Sequence, residues 1–330
     1  MEGSNVFDEL KPRIELVNKA LMESLDIGEV PSLKEAMIYY PKVGGKRLRP
    51  VLAMVVGDAV SGAGEKTLPL GLALEITHNF TLVHDDLMDE DEIRRGIKSL
   101  HLQFNDATAI NAGDALFARA FEILAGMETD LPGFKQIIKD FSIMVRGIAE
   151  GQQLDMEFES RDKVSLEEYM VMIEKKTALM FQMAAKGGTI IAKGDPKLVE
   201  AMSEFGRLLG LGFQIWDDLL DLTADEKTLG KPVGSDLVNG KKTLIAVWAL
   251  ENLEGEDRET FLNAFGNLEA SKDEVDNAVA VLKSSGALDY ARSLALDYTE
   301  RTKQMLDALP QSREKKLLEE LADYMVSRDM

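Results

Sequence analysis

The chain has 330 residues, 45% of them hydrophobic, no cysteine, and a formal net charge of −20 from 38 basic and 58 acidic side chains. That excess of negative charge argues against non-specific binding to nucleic acid or to anionic membranes. The lack of cysteine excludes disulfides, thiolate metal sites and cysteine nucleophiles. No apolar run of about 18 residues appears and no basic leader opens the chain, so the expectation is a cytoplasmic protein with no stable membrane insertion.

Helical periodicity runs from end to end. Val6, Phe7, Leu10, Ile14, Val17 and Leu21 fall at helical spacing over residues 6–25, and a short helix over 32–40 follows Pro31. Gly44-Gly45-Lys46-Arg47-Leu48-Arg49-Pro50 then frees the backbone and delivers three cations, with Pro50 in the first turn of a helix to Ser61. A long helix is predicted over 66–90, followed by a polar connection at 92–104. Further helices are predicted at 106–126, 132–158, 165–193 and 197–223, then a loop at 224–240. Shorter helices follow at 241–253, 256–268, 272–284, 286–308 and 311–328. No alternating β pattern of useful length occurs, and no linker divides the chain. The expectation is one all-α domain over residues 1–330.

Two stretches carry the chemistry. Phe80-Thr81-Leu82-Val83-His84-Asp85-Asp86-Leu87-Met88-Asp89 ends an apolar helix in the pattern D-D-x-x-D. Phe213-Gln214-Ile215-Trp216-Asp217-Asp218-Leu219-Leu220-Asp221 repeats it at an offset of 217 − 85 = 132 residues. Residues four apart share a helix face, so Asp85 and Asp89 point together, with Asp86 beside them. Carboxylates crowded in this way demand a cation, and hard oxygen ligands favour Mg²⁺. Six aspartates on two helix ends facing each other across one cavity would hold two or three such ions and suit a diphosphate. Lys46, Arg47 and Arg49, then Arg94 and Arg95, then Lys175, Lys176, Lys231, Lys241 and Lys242 supply cations for phosphate oxygens. The apolar residues before each acidic end suit a hydrocarbon tail. Metal-assisted departure of an allylic diphosphate needs no protein nucleophile.

A lone D-D-x-x-D is ordinarily a solvated helix end. The ordered set is not: Gly44–Pro50, His84–Asp89 with Arg94-Arg95-Gly96, Gly151-Gln152 with Asp155, Lys176-Thr177, Phe213–Asp221, Gly230-Lys231 and Gly234-Ser235-Asp236. In this order they resemble the trans-type polyprenyl synthetases, the isoprenoid diphosphate synthases, across nearly the whole chain. The resemblance implies a single-domain bundle of long helices around a central cavity, a homodimer, and head-to-tail condensation of isopentenyl diphosphate with an allylic diphosphate. It implies that Lys46, Arg49, His78 and Arg95 bind isopentenyl diphosphate, and that Arg94, Lys176, Thr177, Gln214, Lys231 and Lys241 bind the allylic diphosphate. Asp85, Asp89 and Asp217 would be the principal metal ligands, supported by Asp86, Asp218 and Asp221; Lys176 joins these six as catalytic. Outside the resemblance, His78 reads as a satisfied buried histidine and Gln214 as a cap or bridge. His84 reads as a packing residue, Asp155 as a supporting acid, Arg47 as a solvated charge, and Arg328 as either surface charge or a neighbour of the diphosphate.

The rivals are weaker. A terpene cyclase would place a hydroxyl residue and a Glu where Asp221 and Asp225 stand, and would leave Gly44–Pro50 unexplained. A phosphohydrolase has only His78, His84 and His101 to work with, and a non-catalytic regulatory subunit would be expected to lack acids that are all present here. For product length, the resemblance gives Phe80, the fifth residue before the motif, the role of a chain-length floor. The small Thr81 beside it leaves the channel open. This pattern resembles archaeal-type geranylgeranyl synthases and implies a C20 product with C15 farnesyl diphosphate as intermediate or co-product; a farnesyl diphosphate synthase is the alternative.

Overall fold

The computed structural model describes residues 6–127, 133–224 and 233–327. It is all-α. The N-terminal helices are α1 (Val6–Ser24), α2 (Pro31–Val43), α3 (Leu48–Ser61) and α4 (Leu68–Met88). A two-residue hairpin, β1 (Ile93–Arg94) with β2 (Ile97–Lys98), and a single turn, α5 (Leu100–Gln103), lead to α6 (Asp106–Ala125) and α7 (Phe134–Glu159). Then come α8 (Leu166–Ile173), a π turn (Glu174–Ala178), α9 (Leu179–Ile191) and α10 (Pro196–Thr223). The rest of the chain is α11 (Ser235–Val238), α12 (Leu244–Asn252), α13 (Gly255–Ala264), α14 (Lys272–Ser284), α15 (Ala287–Met305) and α16 (Arg313–Met325).

The chain divides into two compact units. The first is Met1–Val145, Met180–Gly206 and Met305–Leu321; the second is Arg146–Leu179, Arg207–Gln304 and Ala322–Met330. In the first unit, α4 packs most extensively on α6. Leu70, Leu74 and Ile76 of α4 and Leu116, Ala120 and Leu124 of α6 are fully buried, and each large aliphatic so buried contributes about 1.5–3 kcal/mol relative to exposure. The two helices approach closely at Gly113, where a Cβ would lie 2.2 Å from His84 Nε2. Only glycine leaves room for that imidazole.

In the second unit, α10 supplies the apolar face Leu211, Ile215, Trp216 and Leu219 to a core with Phe158, Tyr169, Ile173, Leu244 and Phe261. Helix starts are written in the local sequence. Ser165 with Glu168, and Ser271 with Glu274, form reciprocal capping boxes.

The helices match the periodicity closely, and three local features depart from it. The connection at 92–104 contains the hairpin and α5. Its turn residues Arg95 and Gly96 have φ of 53° and 76°, the paired positive values that a two-residue mirror-image turn requires. The helix expected over 165–193 is interrupted by the π turn, and α11 adds one turn inside the expected loop.

Candidate active site

The first acidic motif lies at the C-terminal end of α4, and the second at the C-terminal end of α10. Helix C-termini carry the negative end of the macrodipole, where carboxylates are disfavoured. Both clusters therefore cost stability where they stand. The six acids divide in two. Asp85, Asp89 and Asp217 are half-buried, whereas Asp86, Asp218 and Asp221 are buried.

The buried three are engaged by the protein. Asp86 accepts from the Tyr40 hydroxyl at one oxygen and from Nε and Nη2 of Arg94 at the other, Nε at 2.7 Å. Arg94 also bonds Asp91 at 3.0 Å, and these acids raise its pKa against the opposing effect of burial. Asp218 accepts from the Tyr169 hydroxyl at 2.7 Å, Gln214 Nε2 at 3.0 Å and the Leu244 amide at 3.2 Å. It has no cation among these partners, and burial pushes its pKa up to about 7. Asp221 accepts from the Ser235 hydroxyl and the Asp236 amide, which ties the start of α11 to the end of α10. Burial and the adjoining carboxylates push both phenols upward, so Tyr40 and Tyr169 stay protonated donors.

The early basic motif forms a loop in which Gly44, Gly45 and Arg47 all have positive φ. Arg47 corrects the reading of a solvated charge. Its side chain is buried, bonded to Glu75 at 2.7 Å, the Pro41 carbonyl at 2.7 Å and Asn18 at 2.9 Å. It holds the loop to α4. Arg95 donates to the Gly44 carbonyl at 2.7 Å, so the hairpin turn is pinned to the same loop. Arg49 lies over the Phe181 ring at 4.8 Å. His78 is half-buried; its pKa is held well below the ordinary imidazole value by burial and by Arg49, Arg95, Arg94 and Arg47. Arg49, His78, Arg94 and Arg95 are thus one electropositive group. Lys46 is exposed and sits 6.0 Å from the Phe7 ring centroid.

In the second unit, a cavity of about 130 Å³ is lined by Lys176, Thr177, Gln214, Asp218, Lys241 and others, among them Asp155, Asp236 and Lys242. It brings together four of the six residues expected at the allylic diphosphate; Arg94 belongs to the first unit, and Lys231 lies outside the described residues, as do Asp225 and Arg328. Lys176 pairs with Asp155, and the Thr177 hydroxyl donates to Gln214 Oε1 at 2.8 Å. The π turn makes this possible. Its extra residue displaces Lys176 and Thr177 relative to a regular helix, as π insertions do at many functional sites. Gly151 admits it: a Cβ there would lie 2.4 Å from the Lys176 backbone nitrogen. Lys242, read from sequence as one of the cations for phosphate oxygens, is buried against Phe265 at 4.9 Å, and burial lowers its pKa.

An aromatic row begins at Phe80, about 1.4 helical turns before Asp85. Phe80 packs on His84 at 4.8 Å and on Phe117 at 5.5 Å, Phe117 on Phe121 at 5.2 Å, and Phe121 on Phe141 at 5.4 Å. His84 is therefore a packing residue. The Thr81 hydroxyl donates to the His78 carbonyl at 2.9 Å, within its own helix.

The polyprenyl synthetase family model matches residues 30–282. The chain is 44% identical to a geranylgeranyl diphosphate synthase of Methanosarcina mazei over 98% of both chains. It is 36% identical to a geranylfarnesyl diphosphate synthase of Natronomonas pharaonis over 99% of this chain and 98% of that one. Among solved structures, a geranylgeranyl pyrophosphate synthetase of Pyrococcus horikoshii matches at TM-score 0.92 and 40% identity over 98% of each chain. A polyprenyl synthase of Caulobacter crescentus, complexed with calcium and isoprenyl diphosphate, matches at TM-score 0.88 and 32% identity over 100% of this chain and 99% of that one. With the motifs in order, a fold shared at this level and a match through both units, the chain belongs to the polyprenyl synthetase family.

Proposed function

We propose that this chain condenses isopentenyl diphosphate head-to-tail with allylic diphosphates and stops mainly at C20, geranylgeranyl diphosphate, with C15 farnesyl diphosphate as intermediate or co-product. The observation that carries this reading is that α4 joins its acidic end to Phe80, about 1.4 turns before Asp85, from which an aromatic row runs onto α6 and α7. Diphosphate chemistry and a limit to tail growth are thereby built on one helix. The single-domain reading is supported by the family match, which runs through residues of both units. Homodimerisation belongs to the same proposal; Ile110 and Phe117 of α6 and Ile143 of α7 leave large apolar side chains exposed for a partner copy to cover. Among the described residues no helix is long and apolar enough to cross a membrane; a cytoplasmic location is part of the proposal.

The donor set fits Mg²⁺. It is all oxygen, and among the described residues no three acids or imidazoles converge to cage a metal on their own. Mg²⁺ characteristically takes one or two carboxylates and completes its shell with waters and substrate phosphates. Asp85, Asp89 and Asp217 would hold the ions, two or three per site. When bound, they supply Lewis-acid stabilisation of the departing diphosphate. The chain's own residues do the rest. Lys176, Thr177, Gln214 and Lys241 would orient the allylic diphosphate in the cavity they line; Lys231 and Arg94 are assigned to the same substrate by their motifs alone. Arg49, Arg95 and neutral His78, with Lys46, would bind isopentenyl diphosphate. The apolar row would receive the tail and exclude water from the allylic carbon.

Two expected results test this division. Lys46→Ala or Arg49→Ala raises the KM for isopentenyl diphosphate about tenfold or more, as loss of a charge-assisted contact worth ~1.5–3 kcal/mol would. Lys176→Ala or Lys241→Ala acts chiefly on the allylic substrate. Equal effects on both substrates in all four variants overturn the assignment. For product length, incubation with radiolabelled isopentenyl diphosphate and each allylic primer gives C20 as the main product, and Phe80→Ala extends it to C25 and beyond. A folded, active Phe80→Ala enzyme with an unchanged product distribution removes Phe80 as the floor; C25 as the main wild-type product overturns the C20 reading.

A further inference from the structure

Each D-D-x-x-D motif has the same unexpected neighbour. Tyr40, on α2 of the first unit, donates to Oδ2 of Asp86. Tyr169, on α8 of the second unit, donates to Oδ2 of Asp218. In both cases the tyrosine is fully buried, the acid is the second of its motif, and the amide of a helix's first residue completes the arrangement. Leu100, opening α5, donates to the Tyr40 oxygen at 2.8 Å, and Leu244, opening α12, donates to Asp218 Oδ2 at 3.2 Å. The acid's other oxygen is taken by Arg94 in one unit and by Gln214 in the other.

Helix geometry explains why this position needs a clamp. At about 100° per residue, the first and fifth positions of a helical stretch lie within roughly 40° of each other, while the second lies about 100° away. Asp86 and Asp218 thus point to the side of the face that carries Asp85 with Asp89, or Asp217. A carboxylate turned into the protein must be fully hydrogen-bonded or its burial is strongly unfavourable. Fully bonded, it becomes a fixed peg that stops its helix end from rotating or fraying.

We propose that Tyr40 and Tyr169 are positioning residues for the reaction: each locks the second carboxylate of its motif away from the cations and so fixes the angle at which Asp85 and Asp89, or Asp217, present their oxygens. This rests on the metal-assisted reading above. The same device is built twice, from different helices and with different additional donors, which a casual buried pair in one core would not explain.

The test is a Mn²⁺ titration of the full-length protein by electron paramagnetic resonance with inorganic pyrophosphate present, so that no turnover is needed. Circular dichroism monitors the fold. Tyr40→Phe and Tyr169→Phe keep the ring and remove one oxygen; each weakens Mn²⁺ half-saturation about tenfold or more while remaining folded. The control is Tyr39→Phe, which removes a hydroxyl bonded to the Lys98 carbonyl at 3.0 Å and leaves half-saturation unchanged. Wild-type half-saturation in folded Tyr40→Phe and Tyr169→Phe overturns the proposal, as does an equal shift in Tyr39→Phe. Loss of the fold in both tyrosine variants also counts against it, since the hydroxyls would then serve stability. Absence of saturable Mn²⁺ binding in the wild type would instead defeat the metal reading on which the proposal stands.

Discussion

Asp85→Ala and Asp217→Ala each lower turnover by about 10³-fold or more, while helix content is retained. A cation at a departing diphosphate supplies several kcal/mol of transition-state stabilisation, and every 1.36 kcal/mol is about tenfold in rate. Removing a principal ligand from either motif therefore forfeits about three powers of ten or more. The effect on stability is small by comparison. Each of these acids stands at the negative end of a helix beside other acids, so relief of that repulsion offsets part of whatever stability the alanine variants lose in metal-free buffer. Asp86→Ala differs in both respects: it strands Tyr40 and the half-buried Arg94, and its melting temperature falls. Steady-state turnover with saturating Mg²⁺, set beside thermal melts in chelator, reads both quantities. Near-wild-type turnover in Asp85→Ala or Asp217→Ala sinks the two-motif reading.

Arg47→Ala is expected to be the most destabilising single substitution in the basic motif, by about 3–5 kcal/mol, because it leaves Glu75 charged, buried and unpaired. The guanidinium also satisfies Asn18 and the Pro41 carbonyl, so Arg47→Lys, with one compact head for three acceptors, recovers only part of the loss. Lys46→Ala, one residue away and exposed, leaves stability within about 0.5 kcal/mol. Removing both charges as Arg47→Met with Glu75→Leu costs far less than removing one, since a buried ion pair exchanged for apolar residues of similar size is often close to neutral. Urea denaturation of the four variants distinguishes a structural Arg47 from a substrate contact. A loss below about 1 kcal/mol in Arg47→Ala would show that water reaches Glu75 and that the pair does not anchor the loop.

These two results concern neighbouring stretches that the sequence made legible to different degrees. The spacing of Asp85, Asp86 and Asp89 on a helix was enough to put Asp85 and Asp89 on one face with Asp86 to the side, and the structure finds Asp86 buried. Arg47 sits among cations and reads as one of them. Its burial depends on Glu75, 28 residues away on another helix, and periodicity within a helix says nothing about that distance. The same holds for Tyr40 with Asp86 and Tyr169 with Asp218, 46 and 49 residues apart. The helices were accessible because their caps and apolar stripes are local. Ser165 with Glu168 and Ser271 with Glu274 mark starts that the structure places within a residue or so of expectation. The hairpin at Ile93–Lys98 was not, because two residues per strand are too few for any alternation to show. Arg95 at positive φ carries no turn signature either; only Gly96 does. Of the residues expected at the phosphates, Thr177 and Gln214 lie 37 residues apart and bond directly, an outcome that motif order suggested and spacing could not supply.

The π turn at Glu174–Ala178 has an evolutionary consequence. A turn of this kind is one residue more than a regular helix needs, so a single in-frame codon deletion within it would restore ordinary helical pairing of the backbone. The same deletion would rotate everything on one side of it by about 100° relative to the other, breaking the Thr177–Gln214 bond and turning Lys176 off Asp155. Like Asp85→Ala or Asp217→Ala, such a deletion would remove the chemistry in a single event. A gene copy freed from selection would be expected to lose the insertion early, and a copy still under selection to keep its length here while loops nearby drift.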